Sequence, residues 1–300
     1  MHASQSRGRT VAHADEAPGE VVRVMSDETT LSAQPSATQP PATQPPAIAP
    51  RGPRVRHVAT DRPWVWLTAG WRDMQATRPV ALAYGGALTL AGWVLVLLFF
   101  EAGTPWAILP ATAGFFLVAP LLAAGFYETS RRREAGGSPT LADALGGLRR
   151  NGAQLAFMGV VLLLIHLVWV RVAGLLFAVF FGLNFSPSLA NLPMALLRHE
   201  DFLAFLVIGT GFGFALAAAT FAVSAVSIPM IIDQPEITAL EAITVSIGAV
   251  LENWRPMTLW AGLIVLFTGL ALVPFFLGLV VVLPLIGHAT WHAYRDIVIR

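Results

Sequence analysis

From residue 80 onward the chain is a series of long apolar runs separated by short, arginine-rich polar segments. The runs at 80–100, 106–127, 152–170 and 202–230 each approach the ~20 apolar residues that cross a bilayer core, and each predicts a membrane-spanning helix. The last run, 257–287, would be roughly 46 Å long as one helix, well beyond a hydrocarbon core of ~30 Å. Gly269 and Pro274 fall near its middle, where a tight turn belongs. The run therefore predicts two short spans, 257–272 and 274–290. The expected total is six, with five as the alternative.

Three segments between these runs carry apolar residues at helical rather than continuous spacing. In 61–78, Trp64, Leu67, Trp71 and Met74 share one face, and Pro79 follows. In 140–150 the face is Leu141, Leu145 and Leu148, with Thr140 and Asp143 at capping-box spacing. In 233–255 it is Ile237, Leu240, Ile243, Ile247, Leu251 and Trp254, with Asp233 and Glu236 at the same spacing. Each predicts an amphipathic helix lying at the membrane surface, at the foot of the next span.

The returning spans also end alike. Pro120-Leu121-Leu122-Ala123 leads to Tyr127 and Arg131, and Pro284-Leu285-Ile286-Gly287 leads to Trp291 and Arg295 at the same offsets. Pro229-Met230-Ile231-Ile232 followed by Asp233 is a cruder middle copy. The fold expected is all-α and integral to the membrane. Six transmembrane helices form three pseudo-repeated hairpins (61–134, 138–232 and 233–300), each preceded by an interfacial helix. The middle unit carries an extra Phe- and Leu-rich excursion, 175–198, expected in the interface.

Composition agrees with this class. Of 300 residues 55% are hydrophobic and 12% charged, far from the quarter charged of a soluble domain. A formal net charge of +1 argues against nucleic-acid binding, and the absence of cysteine removes disulfides, thiolate metal sites and iron–sulfur clusters. All 19 basic residues are arginine, so every positive charge is a permanent guanidinium.

Their distribution sets an orientation. Under six spans, Arg72, Arg78, Arg131–Arg133, Arg149, Arg150, Arg255, Arg295 and Arg300 share one side. The other side holds Arg198 with Glu101, Glu200 and Asp201, while Arg171 closes the outer end of the third span. The positive-inside rule then places both termini in the cytoplasm. Residues 1–60 form a separate region without a signal-peptide core. Their Pro/Thr/Gln-rich stretch predicts a disordered tether, and Arg51, Arg54, Arg56 and Arg62 make a basic juxtamembrane end drawn to anionic lipid. The membrane domain is 61–300.

Residues Pro63-Trp64-Val65-Trp66-Leu67 with Gly70-Trp71-Arg72-Asp73, and the stretch from Pro284 through His288, Trp291, His292 and Tyr294 to Asp296, resemble a bacterial family of predicted integral membrane proteins of unknown function. The resemblance covers roughly 61–300. Some members of that family carry the label of a cytochrome c oxidase subunit, which implies a link to respiratory complexes and supplies no catalytic residues.

Candidate chemistry rests on a few polar residues. His288 and His292 lie i, i+4 on one helix, a spacing that suits zinc or copper held from one side but not two axial ligands of one haem. Asp233 or Glu128 would be the third ligand by repeat alignment. The competing reading is an interfacial polar pair beside Trp291 and Tyr294. His166 lies inside the third span, where an ionisable group is a functional candidate; the competing reading is a neutral, hydrogen-bonded histidine. Arg171 reads as a snorkelling residue. At the inner mouth Tyr127 matches Trp291, Glu128 matches His292 and Arg295 matches Arg131 in the repeat. Gly209, Gly213 and Ala217 form a small-residue helix-packing seam. Hydrolase and nucleotide-loop motifs are absent, and four histidines beyond the tail are too few for heme-copper oxidase chemistry.

Three functions follow in order of support. The first is a non-catalytic accessory or assembly subunit of a respiratory or other membrane complex, its partners being lipid and other subunits. The second is a small-solute or ion transporter, and the third a haem or metal carrier.

Overall fold

Two prolines in first helical turns, where the missing N–H costs nothing, open the helical part of the chain. In the computed structural model, which describes residues 53–103, 112, 115, 118–182 and 191–299, Pro63 begins α1 (Arg62–Ala76) and Pro79 begins α2 (Arg78–Glu101). After them come α3 (Ala124–Glu134), α4 (Leu141–Gly146) with a 3₁₀ turn at Gly147–Arg149, and α5 (Gly152–Phe181). Then follow α6 (Leu192–Leu197), α7 (Phe202–Ser224), α8 (Ser227–Asp233), α9 (Ala239–Glu252), α10 (Trp254–Leu272) and α11 (Leu279–Ile297). All of these fall in the unit Pro50–Arg300.

The two ends of this unit meet. Strand β1 (Arg54–Val55) pairs antiparallel with β2 (Val298–Ile299), with Arg54 opposite Ile299, and the Arg56 N–H donates to the Ile297 carbonyl at 2.8 Å. The folded region therefore begins before the boundary expected at residue 60; the preceding tail lies outside the described residues.

Among the described residues, four helices are long and apolar enough to cross a membrane: α2, α5, α7 with α8, and α10. Most of the expected second span lies outside the described residues. What is described there, 118–122 and α3, continues as helix to Glu134 rather than stopping near residue 127. The third span was expected to end at 170, but α5 runs on to Phe181, because Val172–Phe181 has no residue that stops a helix. It absorbs the start of the expected interfacial excursion. The fourth run breaks at Ala225–Val226. There the Ser246 hydroxyl accepts from the Val226 N–H at 3.2 Å and donates to the Ala222 carbonyl at 2.7 Å, satisfying backbone groups that the break releases.

The last run is two helices, with a turn at 273–278. Gly269 is not in that turn. Gly278 is the glycine it requires, since a Cβ there would come within 2.6 Å of the Ala271 backbone.

Core packing concentrates at one end of the bundle. Trp66 and Trp260 meet edge to face at 5.9 Å, beside Trp291, Tyr294, Met230, Ile231 and Ile232, all fully buried. Away from that end the spans bury little: none of the most apolar window of Phe202–Asp233 is buried, and 6% of that of α5. In the expected small-residue seam, a Cβ on Gly209 would meet nothing within 4 Å, whereas one on Gly213 would fall 3.3 Å from the Trp169 side chain.

The amphipathic segments turn mainly small residues toward the protein, together with Ile237, Leu67 and Met74, and most of their other large apolar groups outward. In α9 the buried residues are Ala239, Ala242, Ser246 and Ala249, whereas Leu240, Ile247, Leu251 and Trp254 are exposed. In α4 and its 3₁₀ turn, Ala144 and Gly147 are buried and Leu141, Leu145 and Leu148 exposed. In α1 the inward stripe is Pro63, Trp66, Leu67, Gly70, Asp73 and Met74, with Trp64 and Trp71 outside. Small residues allow close backbone approach inside, and the large apolar groups are left for the surroundings. The N-cap of α9 is also displaced: the capping box is Thr238 with Glu241, not Asp233 with Glu236, while Thr140 caps α4 as the spacing implies.

Candidate functional site

The polar residues of the buried end form one layer, built from the inward face of α1. Gly70 lies so near α11 that a Cβ on it would fall 2.5 Å from the Ala289 nitrogen. That approach sets α1 antiparallel to α11, with Asp73 opposite His292 and Trp66 opposite Asp296.

Asp73 is the hub. Its Oδ2 accepts from the Ser130 hydroxyl at 2.6 Å and pairs with His292 Nε2 at 2.9 Å; its Oδ1 accepts from Arg133 Nε at 2.9 Å. Burial pushes this carboxyl up, but hydrogen bonds from His292, Ser130 and Arg133 outweigh it and hold it down at about 2. The single Ser130 hydrogen is committed to Asp73, a pure acceptor. The 2.8 Å contact between Ser130 Oγ and His288 Nδ1 then needs the hydrogen on Nδ1. This leaves His288 Nε2 a bare lone pair, fully buried and without a hydrogen-bond partner among the described residues.

Three further carboxylates complete the layer. Asp296 accepts from Trp66 Nε1 at 2.9 Å and Arg62 Nε at 2.6 Å, and also pairs with Arg56. Glu128 accepts from Arg131 through Nε and a terminal nitrogen, each at 2.7 Å, and from Arg132 Nε at 2.7 Å; Arg132 also reaches Asp143 at 3.0 Å. In both Asp296 and Glu128 burial acts upward and the arginines downward, and the arginines prevail. Asp233 accepts from the Tyr294 hydroxyl at 2.7 Å and lies 3.7 Å from Arg295, which also pairs with Glu134 at 2.8 Å.

The sequence candidates thus gather at one end but engage different partners. His288 and His292 point to Ser130 and Asp73, and the expected third ligands Asp233 and Glu128 are held by Tyr294 with Arg295 and by Arg131 with Arg132. Among the described residues no group of three His, Cys, Asp or Glu is placed to hold a metal ion. Tyr127 is buried in the core beside these residues. His166 stands apart in α5, its Nδ1 buried and without a partner among the described residues. Arg171, exposed on α5, sits roughly 28 Å along the helix from Gly152, and the helix continues past it.

Asp73 and Ser130 were missed by sequence reasoning. Asp73 had a signal: it follows Trp66 and Gly70 at i+7 and i+3, on the stripe that is buried. Ser130 had none beyond its neighbours.

Residues 108–233, under half of the chain, match the model of a family described as predicted integral membrane protein (DUF2189). The matched stretch takes in Glu128, Ser130, Arg131–Arg133 and Asp233, but not Asp73, His288, His292 or Asp296. It also excludes the two segments, 63–73 and 284–296, on which the sequence resemblance rested. No curated protein and no solved structure matches the chain. The family match and the four apolar helices describe an integral membrane protein.

Proposed function

We propose that the chain is a non-catalytic accessory or assembly subunit of a larger complex, respiratory or other, in a bacterial inner membrane. One observation carries this reading: the spans leave most of their apolar residues outside, while the carboxylates of the polar layer are held by arginines of the same layer. The most apolar window of Phe202–Asp233 buries none of its residues, and Asp73, Glu128, Asp233 and Asp296 each engage arginine. Such a molecule offers helix faces to neighbours rather than a reactive centre to a substrate.

The same reading has six crossings in three hairpins, with both termini cytoplasmic. The pairing of β1 with β2 supports an even number. The chain is back beside the lower part of α2 by Leu122, whose carbonyl accepts from the Tyr84 hydroxyl at 2.9 Å, and the turn at 273–278 supports a return stroke in the last run.

Affinity purification in mild detergent, with an optical spectrum and metal analysis, tests the function. Partner subunits in fixed ratio, with no chromophore or metal retained by the chain itself, are expected. Stoichiometric haem or metal, lost when His288→Ala and His292→Ala are combined, would favour a carrier. Solute or ion flux in vesicles containing this chain alone would favour a transporter. Either result overturns the accessory reading.

A further inference from the structure

Each of the three places where a surface helix turns into a span carries an exposed arginine next to an exposed large apolar side chain. At the first, Trp71 and Arg72 precede Arg78, the first residue of α2. At the second, Leu148 and Arg149 precede α5. At the third, Trp254 and Arg255 begin α10, and the guanidinium lies 5.2 Å from the indole centroid. Among the described residues none of Arg72, Arg78, Arg149 and Arg255 has a carboxylate partner, whereas Arg56, Arg62, Arg131, Arg132, Arg133, Arg150 and Arg295 all do.

All three elbows belong to one end of the molecule. Asn253, at the third, accepts from the Val58 N–H at 2.8 Å, close to the β1–β2 pair. Arg150, at the second, donates to the Ile232 carbonyl at 2.5 Å, and Gln154 accepts from the Ala239 N–H at 2.8 Å. Asp73, at the first, takes Ser130 and His292. The first and third even share a backbone, Thr77 at φ −116°, ψ 28° and Asn253 at φ −112°, ψ 38°.

We propose that these elbows form a collar that binds the headgroups of anionic phospholipids in the leaflet facing the polar layer. The charge is complementary, because Asp73, Glu128, Asp233 and Asp296 are held by other arginines, while Arg72, Arg78, Arg149 and Arg255, with Arg54 of β1, keep exposed guanidiniums that outnumber the exposed Glu252 beside the third elbow. The depth is complementary too: the start of a span is where hydrocarbon meets phosphate, and Trp and Arg are the side chains that settle there. The outward Leu240, Ile247 and Leu251 of α9 and Leu141 and Leu145 of α4 supply the apolar surface for the acyl region just beneath. A guanidinium also presents a fork of donors that matches a phosphate. This site stands independently of the accessory role.

The test uses the full chain in nanodiscs of phosphatidylcholine alone and of phosphatidylcholine mixed with phosphatidylglycerol, released into native mass spectrometry. The wild type is expected to retain phosphatidylglycerol in preference to phosphatidylcholine, and to lose that preference as salt rises. Combined Arg72→Gln, Arg78→Gln, Arg149→Gln and Arg255→Gln should weaken retention by roughly fivefold per arginine, equivalent to about 1 kcal/mol each. The matching four lysine substitutions should retain much of it. Arg171→Gln with Arg198→Gln, which lie away from the collar, should leave it unchanged. If the glutamine variant does not fold, Arg149→Gln and Arg255→Gln are read singly. Equal retention of the two lipids by the wild type, or retention unchanged in the glutamine variants, would overturn the proposal. So would a mass of two chains without retained lipid, which assigns these faces to a second copy.

Discussion

The Asp73 carboxylate of α1 and the His292 imidazole of α11 meet at 2.9 Å across 219 residues of sequence, and Arg133 of α3 reaches the same carboxylate from a third helix. One side chain thus joins three elements that no local signal connects. Asp73→Ala strands the Ser130 hydroxyl, the His292 ring and Arg133 at once. Arg133 keeps some solvent, which lowers the penalty from that of a fully buried pair, so the expected cost is about 2 kcal/mol. Thermal unfolding in detergent should show it, and Asp73→Ala with His292→Ala should cost less than the two singles added. Full additivity would mean that the contact contributes nothing.

Acid should loosen the same layer. A carboxylate whose folded pKa lies below its unfolded one adds stability that is complete above the unfolded value and lost as pH falls through the folded one. Asp73 is held at about 2 in the folded chain against an ordinary 3.8, and Glu128 and Asp296 are shifted the same way. Unfolding midpoints should therefore fall as pH drops from about 4 toward 2. These carboxylates give no change between pH 5 and 8. Asp73→Asn should flatten part of the acid slope, and an unaltered slope would remove Asp73 from its causes.

The sequence made four membrane helices legible because length and apolar character are enough to mark a span, and it located the break in the last run from helix length together with Pro274, although Gly269 lies outside the turn. It did not reveal which face of a surface helix turns inward. In α9, Ala239, Ala242 and Ala249 permit the closer approach to the protein, and Leu240 and Leu251 are left for the surroundings. The polar layer was half legible. His288 and His292 were marked by their i, i+4 spacing, and Glu128, Asp233 and Arg295 by repeat alignment. Asp73, their hub, was not marked: the apolar stripe of Trp64, Leu67, Trp71 and Met74 does not include it, and of that stripe Leu67 and Met74 turn inward while both tryptophans stay outside.

Close approach itself is testable at Gly70. Replacing it with alanine favours the helix locally by up to ~1 kcal/mol, but the new Cβ meets backbone atoms of Ala289 at 2.5 and 2.8 Å, which cannot rotate away. The clash should win, with a net loss of about 1–3 kcal/mol typical of overpacking. Gly152→Ala, with nothing within 4 Å, is the control and should be neutral or slightly stabilising. A stable Gly70→Ala chain would show that α1 does not pack on α11 at this distance.

The displaced cap makes a second local test. Thr238 accepts from the Glu241 N–H at 3.3 Å while Glu241 accepts from the Thr238 N–H at 3.1 Å. Thr238→Ala should cost about 1 kcal/mol and speed amide exchange in the first turn of α9. Glu236→Ala, outside the box, should leave that exchange unchanged. The reverse order would restore the cap to Asp233 and Glu236.

Topology offers the broadest test, and a chain without cysteine is suited to it. Because β1 and β2 are hydrogen-bonded strands, His57 and Ile299 must lie on the same side of the membrane, so the number of crossings between them is even. Single cysteines at His57, Ala135 and Ile299 should react with an impermeant maleimide only after the cells are opened, since these positions flank the arginine-rich end. Cysteines at Ala102 and Asp201, at the far ends of α2 and α7, should react in intact cells. The Ala135 result carries most weight: α2 alone would leave it on the outer side with Ala102, and only a return stroke between Glu101 and Leu122 brings it back to the polar layer. Labelling of Ala135 in intact cells would eliminate that stroke and with it the six-crossing reading. Opposite labelling of His57 and Ile299 would contradict the β1–β2 pair itself.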